Sequence, residues 1–259
     1  MMPSLFVAHG APLLALEDNA YTRYFRQLGQ SGLSRPKAIV VLSAHWITRR
    51  PTVGHIDRYD TLYDFGGFPE ALYQIRYPAW GAPAIAQTVS ELLAHHGISS
   101  DRDSCRGLDH GAWVVLRLMY PAADIPVVSL SVSPRLAPDE QYRIGQALGA
   151  LRTQDILLIA SGGTVHNLLR LDWNATATEP WAMEFDQWLK DRLLNWDLDA
   201  LYRYDTLAPH SQLAVPPFGN DHFVPIFYAL GAADNARQAT LLHQSYRYGN
   251  LSQSIWQFG

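Results

Sequence analysis

The chain has 259 residues and a net charge of −4 with histidine neutral, from 20 basic and 24 acidic side chains. Apolar residues make up 48% and charged residues only 17%, so a large core can be buried, and disorder, which needs the opposite balance, is excluded. The absence of any basic run argues against a nucleic acid or an anionic membrane as partner. A single cysteine, Cys105, excludes an internal disulfide framework and fits a reducing cytoplasm.

The N-terminal MMPSLFVAHG has no positive segment and no long apolar stretch, so no signal peptide is expected. No apolar run approaches the roughly 20 residues of a membrane span, and a cytoplasmic protein is expected. Along the chain, Ser4–Ala8 and Ala38–Leu42 are short apolar runs of strand length. Ile85, Val89, Leu92 and Leu93 then recur at helical spacing, with Gly97 as a C-terminal cap. Val127–Val132 predicts a third strand. A helix starting near Asp139 puts Ile144, Leu148 and Leu151 on one face, and Ile156–Ala160 predicts a fourth strand. A helix from Trp181 to Trp196 turns Trp181, Phe185, Trp188, Leu189 and Leu193 inward, and another begins after Asp221 with Pro225 in its first turn. Ala239–Tyr246 and Ser252–Phe258 predict a hairpin around Tyr248-Gly249-Asn250. The four early runs lack the alternation of a half-exposed strand, as parallel strands covered on both faces do. The expected fold is therefore α/β: a mostly parallel central sheet flanked by helices on both faces, with a small antiparallel addition near the C-terminus.

In open sheets of this kind ligands bind beyond the carboxyl ends of the strands. Histidine, present ten times, gathers there. The first strand runs into His9 (VAHG), the second into His45 (SAHW), and His166 lies just past the fourth (SGGTVHN). His110 (LDHGAW) and His222 (NDHF) sit at expected helix starts, each after an aspartate, Asp109 or Asp221, that reads as the N-cap. Histidines delivered by separate strands suit either a metal site or a proton-transfer site. His55, His95, His96, His210 and His243 share no such context.

These five motifs, in this order, resemble the class III extradiol ring-cleavage dioxygenases, and most closely their small single-chain branch, the 4,5-DOPA extradiol type. The resemblance runs over nearly the whole chain and includes DTLYDFGGFPEALYQIRYPAWG at Asp60–Gly81. It implies one catalytic domain over residues 1–259. It also implies a divalent metal held by His9, His45 and His222, and His166 as acid/base, a further ligand in some members. His110 would then contact the substrate hydroxyl. Larger relatives complete a two-histidine, one-carboxylate iron site with a glutamate, where this chain has His222; an all-histidine set suits Zn(II) as well as Fe(II). Only Fe(II) can pass electron density from a catecholate to O2, so Fe(II) is expected for turnover. The implied partners are a small catechol and O2, acting on a monomer or homodimer, with a muconic semialdehyde as product.

Other readings compete. A zinc hydrolase needs a carboxylate base near the ion, and none of the five motifs holds a glutamate. Ser161 lacks the Gly-x-Ser-x-Gly frame of a hydrolase nucleophile, Cys105 is a lone thiol, and a scaffold of the same fold would carry no activity. Asp60–Gly81 reads either as an aromatic lid hinged at Gly66-Gly67 or as a packed loop. Arg49, Arg50 and Arg76 are candidates, by charge alone, to hold a substrate carboxylate.

Overall fold

The apolar runs pair into one sheet because each can bury both faces. The computed structural model describes residues 1–217 and 219–259. Among them eight strands form a single sheet: β1 (Ser4–Ala8), β2 (Ala38–Ile47), β3 (Thr52–Gly54), β4 (Asp101–Asp103), β5 (Val127–Val132), β6 (Ile156–Gly162), β7 (Ala239–Arg247) and β8 (Leu251–Phe258). Their order is β4-β3-β5-β2-β6-β1-β8-β7. The central β5, β2, β6 and β1 are mutually parallel, while β8 pairs antiparallel with β1 and carries β7 beyond it. The α/β class, the parallel centre and the C-terminal antiparallel addition are all as the sequence predicts.

Successive residues of the central strands point to opposite faces. Phe6, Val40, Leu42, Leu158 and Ala160 enter one core, with the Pro83–His95, Pro138–Leu148, Pro180–Leu194 and Pro225–Ala232 helices. Leu5, Val7, Ile39, Val41, Leu157 and Ile159 enter the other, with the Ala20–Gln27 and His110–Met119 helices. Two apolar faces explain why these strands show no alternation.

Several boundaries depart from expectation. The second strand continues past Leu42 to Ile47, and its pairing with β5 slips between Ser43 and Ile47, so His45 lies in an irregular stretch of the strand rather than beyond it. Such a bulge re-aims a side chain. The third predicted helix spans Pro180–Leu194 and leaves Trp196 outside. Leu151, although buried, belongs to a short turn of 3-10 helix after Leu148. Asp109 caps its helix as expected, accepting from the Ala112 N–H. Asp221 does not: the helix begins at Pro225 with Val224 at its cap, the N–H groups of Phe223 and Val224 bond the Asn220 carbonyl, and the Asp221 carboxylate meets His222 instead. No helix among the described residues is long and apolar enough to cross a membrane.

Candidate metal centre

The carboxyl end of the parallel sheet is where the five histidines meet. His9 follows β1 and its N–H bonds the Gly162 carbonyl at the end of β6. His45 sits in the β2 bulge, its backbone carbonyl held by Arg106 and its N–H by the Ser43 hydroxyl. His110 opens its helix, and His166 leaves β6 through a short loop tied to the Ala214 carbonyl. His222 lies in the turn before Pro225, and its carbonyl accepts from Gly163 N–H. Gly162 permits this approach, since a Cβ there would lie 2.1 Å from the His222 carbonyl oxygen.

Three imidazoles point the same nitrogen at one spot. His45 Nε2 lies 3.0 Å from His9 Nε2 and 3.2 Å from His222 Nε2. The opposite nitrogens are occupied. Ser161 gives its own proton to the Gly111 carbonyl (2.6 Å), so it accepts from His9 Nδ1–H at 2.9 Å. His222 Nδ1–H donates to Asp221 at 2.7 Å, and His45 Nδ1 lies 3.4 Å from Asp64. With protons held at Nδ1, bare lone pairs face one another at Nε2, which is repulsive unless a cation lies between them. Nitrogens about 2.0–2.1 Å from one ion, at tetrahedral to octahedral angles, lie about 2.9–3.4 Å apart, and the observed spacings fall in that range. These residues fit a divalent metal. His45 and His110 with Asp64 make a second close group, but there the carboxylate meets the outer nitrogens.

Burial keeps His9, His45 and His166 uncharged. His9 is held well below its ordinary value by burial and then by its imidazole neighbours, His45 is lowered chiefly by burial, and His166 falls to about 3 for the same reason. Burial alone would raise the Asp64 carboxyl, but the His110 side chain and backbone N–H, with His45, hold it below the usual carboxylate range. His110 Nδ1 is 3.0 Å and His110 N 2.9 Å from Asp64 Oδ1.

His166 is placed differently from the three. Its ring lies flat on His222, centroids 3.6 Å apart and 4° from parallel, and it stands outside the group whose ligand atoms converge. All five histidines line one cavity of about 350 Å³. From Asp60–Gly81, Phe65 and Phe68 reach this cavity. Tyr77 is buried with its hydroxyl on the Tyr120 carbonyl, and Trp80 lies outside under Arg58. The segment alternates exposed and buried residues, holds a short helix at Glu70–Tyr73, and walls the cavity at Phe65 and Phe68.

The matching family model is the catalytic LigB subunit of aromatic ring-opening dioxygenase, over residues 4–259. The chain belongs to the LigB family of extradiol ring-opening dioxygenases. The relative named 4,5-DOPA dioxygenase extradiol from Beta vulgaris is 41% identical over 258 residues, 98% of this chain and 96% of its own. The one of that name from Escherichia coli (strain K12) is 41% identical over 263 residues, covering 100% and 95%. A crystal structure of an uncharacterized Escherichia coli K12 protein superposes with a TM-score of 0.85 at 39% identity, over all of both chains. LigB proteins are metal-dependent dioxygenases, and the histidine cluster gives this one a place for the metal.

Membership removes the competing enzymes. Ser161 is fully buried and spends its hydroxyl between Gly111 and His9, so it is no nucleophile, and Cys105 is exposed beside Asp103. Two residues of the site escaped the sequence. Asp64 was hidden inside an aromatic segment, where a lone carboxylate among Tyr63, Phe65 and Phe68 was its only signal. Asp221 was visible but read as a cap.

Proposed function

We propose that the chain holds one divalent metal through His9, His45 and His222 and uses it to open the ring of a catechol with O2, giving a muconic semialdehyde. The observation that carries this is the convergence of three proton-free Nε2 atoms at 3.0 and 3.2 Å, inside a cavity large enough for an aromatic ring. When bound, Fe(II) supplies a redox relay between catechol and O2, a chemistry Zn(II) lacks although the same imidazoles suit it.

The chain's own residues do the rest. Asp221 and Asp64, each behind an imidazole, fix ring orientation and bring negative charge that three neutral ligands lack. His166 starts neutral and accepts a catechol proton; an anionic catecholate beside it raises its basicity, so the proton can later be returned to the product. His110, its Nδ1–H committed to Asp64, presents Nε2 to the substrate hydroxyl. Phe65 and Phe68 cover the ring and exclude water. The reading keeps the protein in the cytoplasm with small-molecule partners only, in keeping with its −4 charge and single cysteine.

Metal-free protein loaded separately with Fe(II) and Zn(II) tests the metal. O2 consumption with a catechol is expected from the iron form alone; comparable consumption by the zinc form overturns the assignment.

A further inference from the structure

The cavity is more than twice the roughly 150 Å³ that encloses a benzene ring, so a catechol at the histidines leaves room for a ring substituent. What meets that substituent is set by the rest of the wall. Among the described residues no lysine, arginine, aspartate or glutamate lines it. The arginines named by charge lie elsewhere. Arg50 pairs with Asp101, Arg76 bonds the Tyr73 carbonyl and lies over the Tyr63 ring, and Arg49 is exposed outside the lining. Beyond the histidines, two lining side chains carry a polar hydrogen, Tyr248 and Trp173, and their ring centroids are 4.4 Å apart.

Tyr248 is placed to donate. Its hydroxyl oxygen accepts from Arg247 Nη2 at 3.2 Å, and the guanidinium lies 4.9 Å from its ring centroid. Glu17 fixes that guanidinium at 2.7 and 3.1 Å and also accepts from Asn19 at 2.7 Å, so the two charges balance behind the wall. The phenol proton has no acceptor among the described residues, and neither has the Trp173 indole N–H. A hydroxyl that accepts from a cation gives its own proton more strongly, because bonds in a chain polarise one another. A carboxylate is the acceptor that such donors hold best, since charge-assisted hydrogen bonds are the strong ones.

The backbone supports this reading. Tyr248 and Gly249 both lie in the left-handed region, at φ +53° and +82°, in the turn between β7 and β8. Asparagine or glycine is ordinary there, and a bulky tyrosine is an outlier that costs stability. Asp172 N–H donates to the Tyr248 carbonyl and Asn250 to the Arg170 carbonyl, so the turn and the Trp173 segment are held as one wall.

We infer that the Tyr248 hydroxyl, with the Trp173 indole N–H beside it, receives a carboxylate on the catechol's ring substituent and so sets substrate preference; this rests on the ring-cleavage reading of the same site. An ammonium on the substituent meets no carboxylate on this wall.

The test measures kcat and KM of the iron-loaded full chain for dihydroxyphenylpropionate, ethylcatechol and dopamine. The propionate is expected to lead the other two in kcat/KM by about tenfold or more, chiefly through KM, as a hydrogen bond to a charged group provides. Tyr248→Phe keeps the ring and removes the donor, and is expected to cut the propionate's lead over ethylcatechol by about tenfold. Trp173→Phe, at a residue 61% exposed, is expected to cut it by a smaller factor. A parent without the lead, or a lead unchanged in Tyr248→Phe, overturns the inference while leaving ring cleavage intact. Should Tyr248→Phe lose activity on both substrates, Trp173→Phe decides, and an unchanged lead there overturns the inference. Failure of the parent to open any of the three rings overturns the ring-cleavage reading, and the inference with it.

Discussion

His9 and His222 each carry their proton on the nitrogen away from the centre because an oxygen is fixed there: Ser161 behind His9 and Asp221 behind His222. His166 stands outside the converging nitrogens and lies against the His222 ring, which supports the proposed part in proton movement rather than ligation. His166→Ala should lower kcat by about 100-fold or more, the usual contribution of a positioned acid/base, while iron content per chain stays near that of the parent. Metal analysis beside steady-state kinetics checks both, and loss of iron in the variant would make His166 a ligand. The five histidines are legible in the sequence on different signals: His9 and His45 sit beside small residues where apolar runs end, His166 follows a run closely, and His110 and His222 stand after an aspartate at expected helix starts. Asp64 is not, since its partners His45 and His110 come from other elements, and only folding brings the three together.

At the scale of elements, Gly162 joins the end of β6 to the turn that carries His222. Replacing it with alanine drives Cβ into the His222 backbone oxygen, at 2.1 Å, and toward Pro225. A backbone atom cannot rotate away, so the turn must shift and take His222 with it. Gly162→Ala should destabilise the fold by about 1–3 kcal/mol and weaken metal binding, read from thermal unfolding and a metal-competition titration; parental values in both would show that the turn yields freely. The four central strands were legible because they are buried on both faces. β3 and β4 were not: each has three residues, and β4 is Asp-Arg-Asp, held in the sheet by pairing with β3 and not by apolar content. The Ala20–Gln27 helix escaped because its signal is a cap, Asn19 with Thr22, on only eight residues.

Across the whole molecule, the sheet draws to one edge residues as distant in sequence as His45 and His222, 177 positions apart. Holding His9, His45 and His166 neutral has a consequence for the metal-free protein. His9, His45 and His166 have folded values below the ordinary 6.5, so under that pH the unfolded chain binds more protons than the folded one. Stability is therefore full above about pH 6.5 and is lost as pH falls toward the folded values, by about 1.4 kcal/mol per pH unit for each such histidine. Asp109 and Asp186, raised by burial, act in the opposite sense. The melting temperature of the metal-free protein should fall steadily between about pH 7 and 5; a flat profile would mean that His9, His45 and His166 bind protons as readily when folded as when unfolded. The central claim, extradiol opening of a catechol ring, is tested most directly by the mass and absorption spectrum of the product from the iron-loaded enzyme under O2. The account predicts a ring-opened semialdehyde equal in mass to the substrate plus both atoms of O2, with visible absorbance, and either unchanged catechol or a dicarboxylic muconate lacking the aldehyde would contradict it.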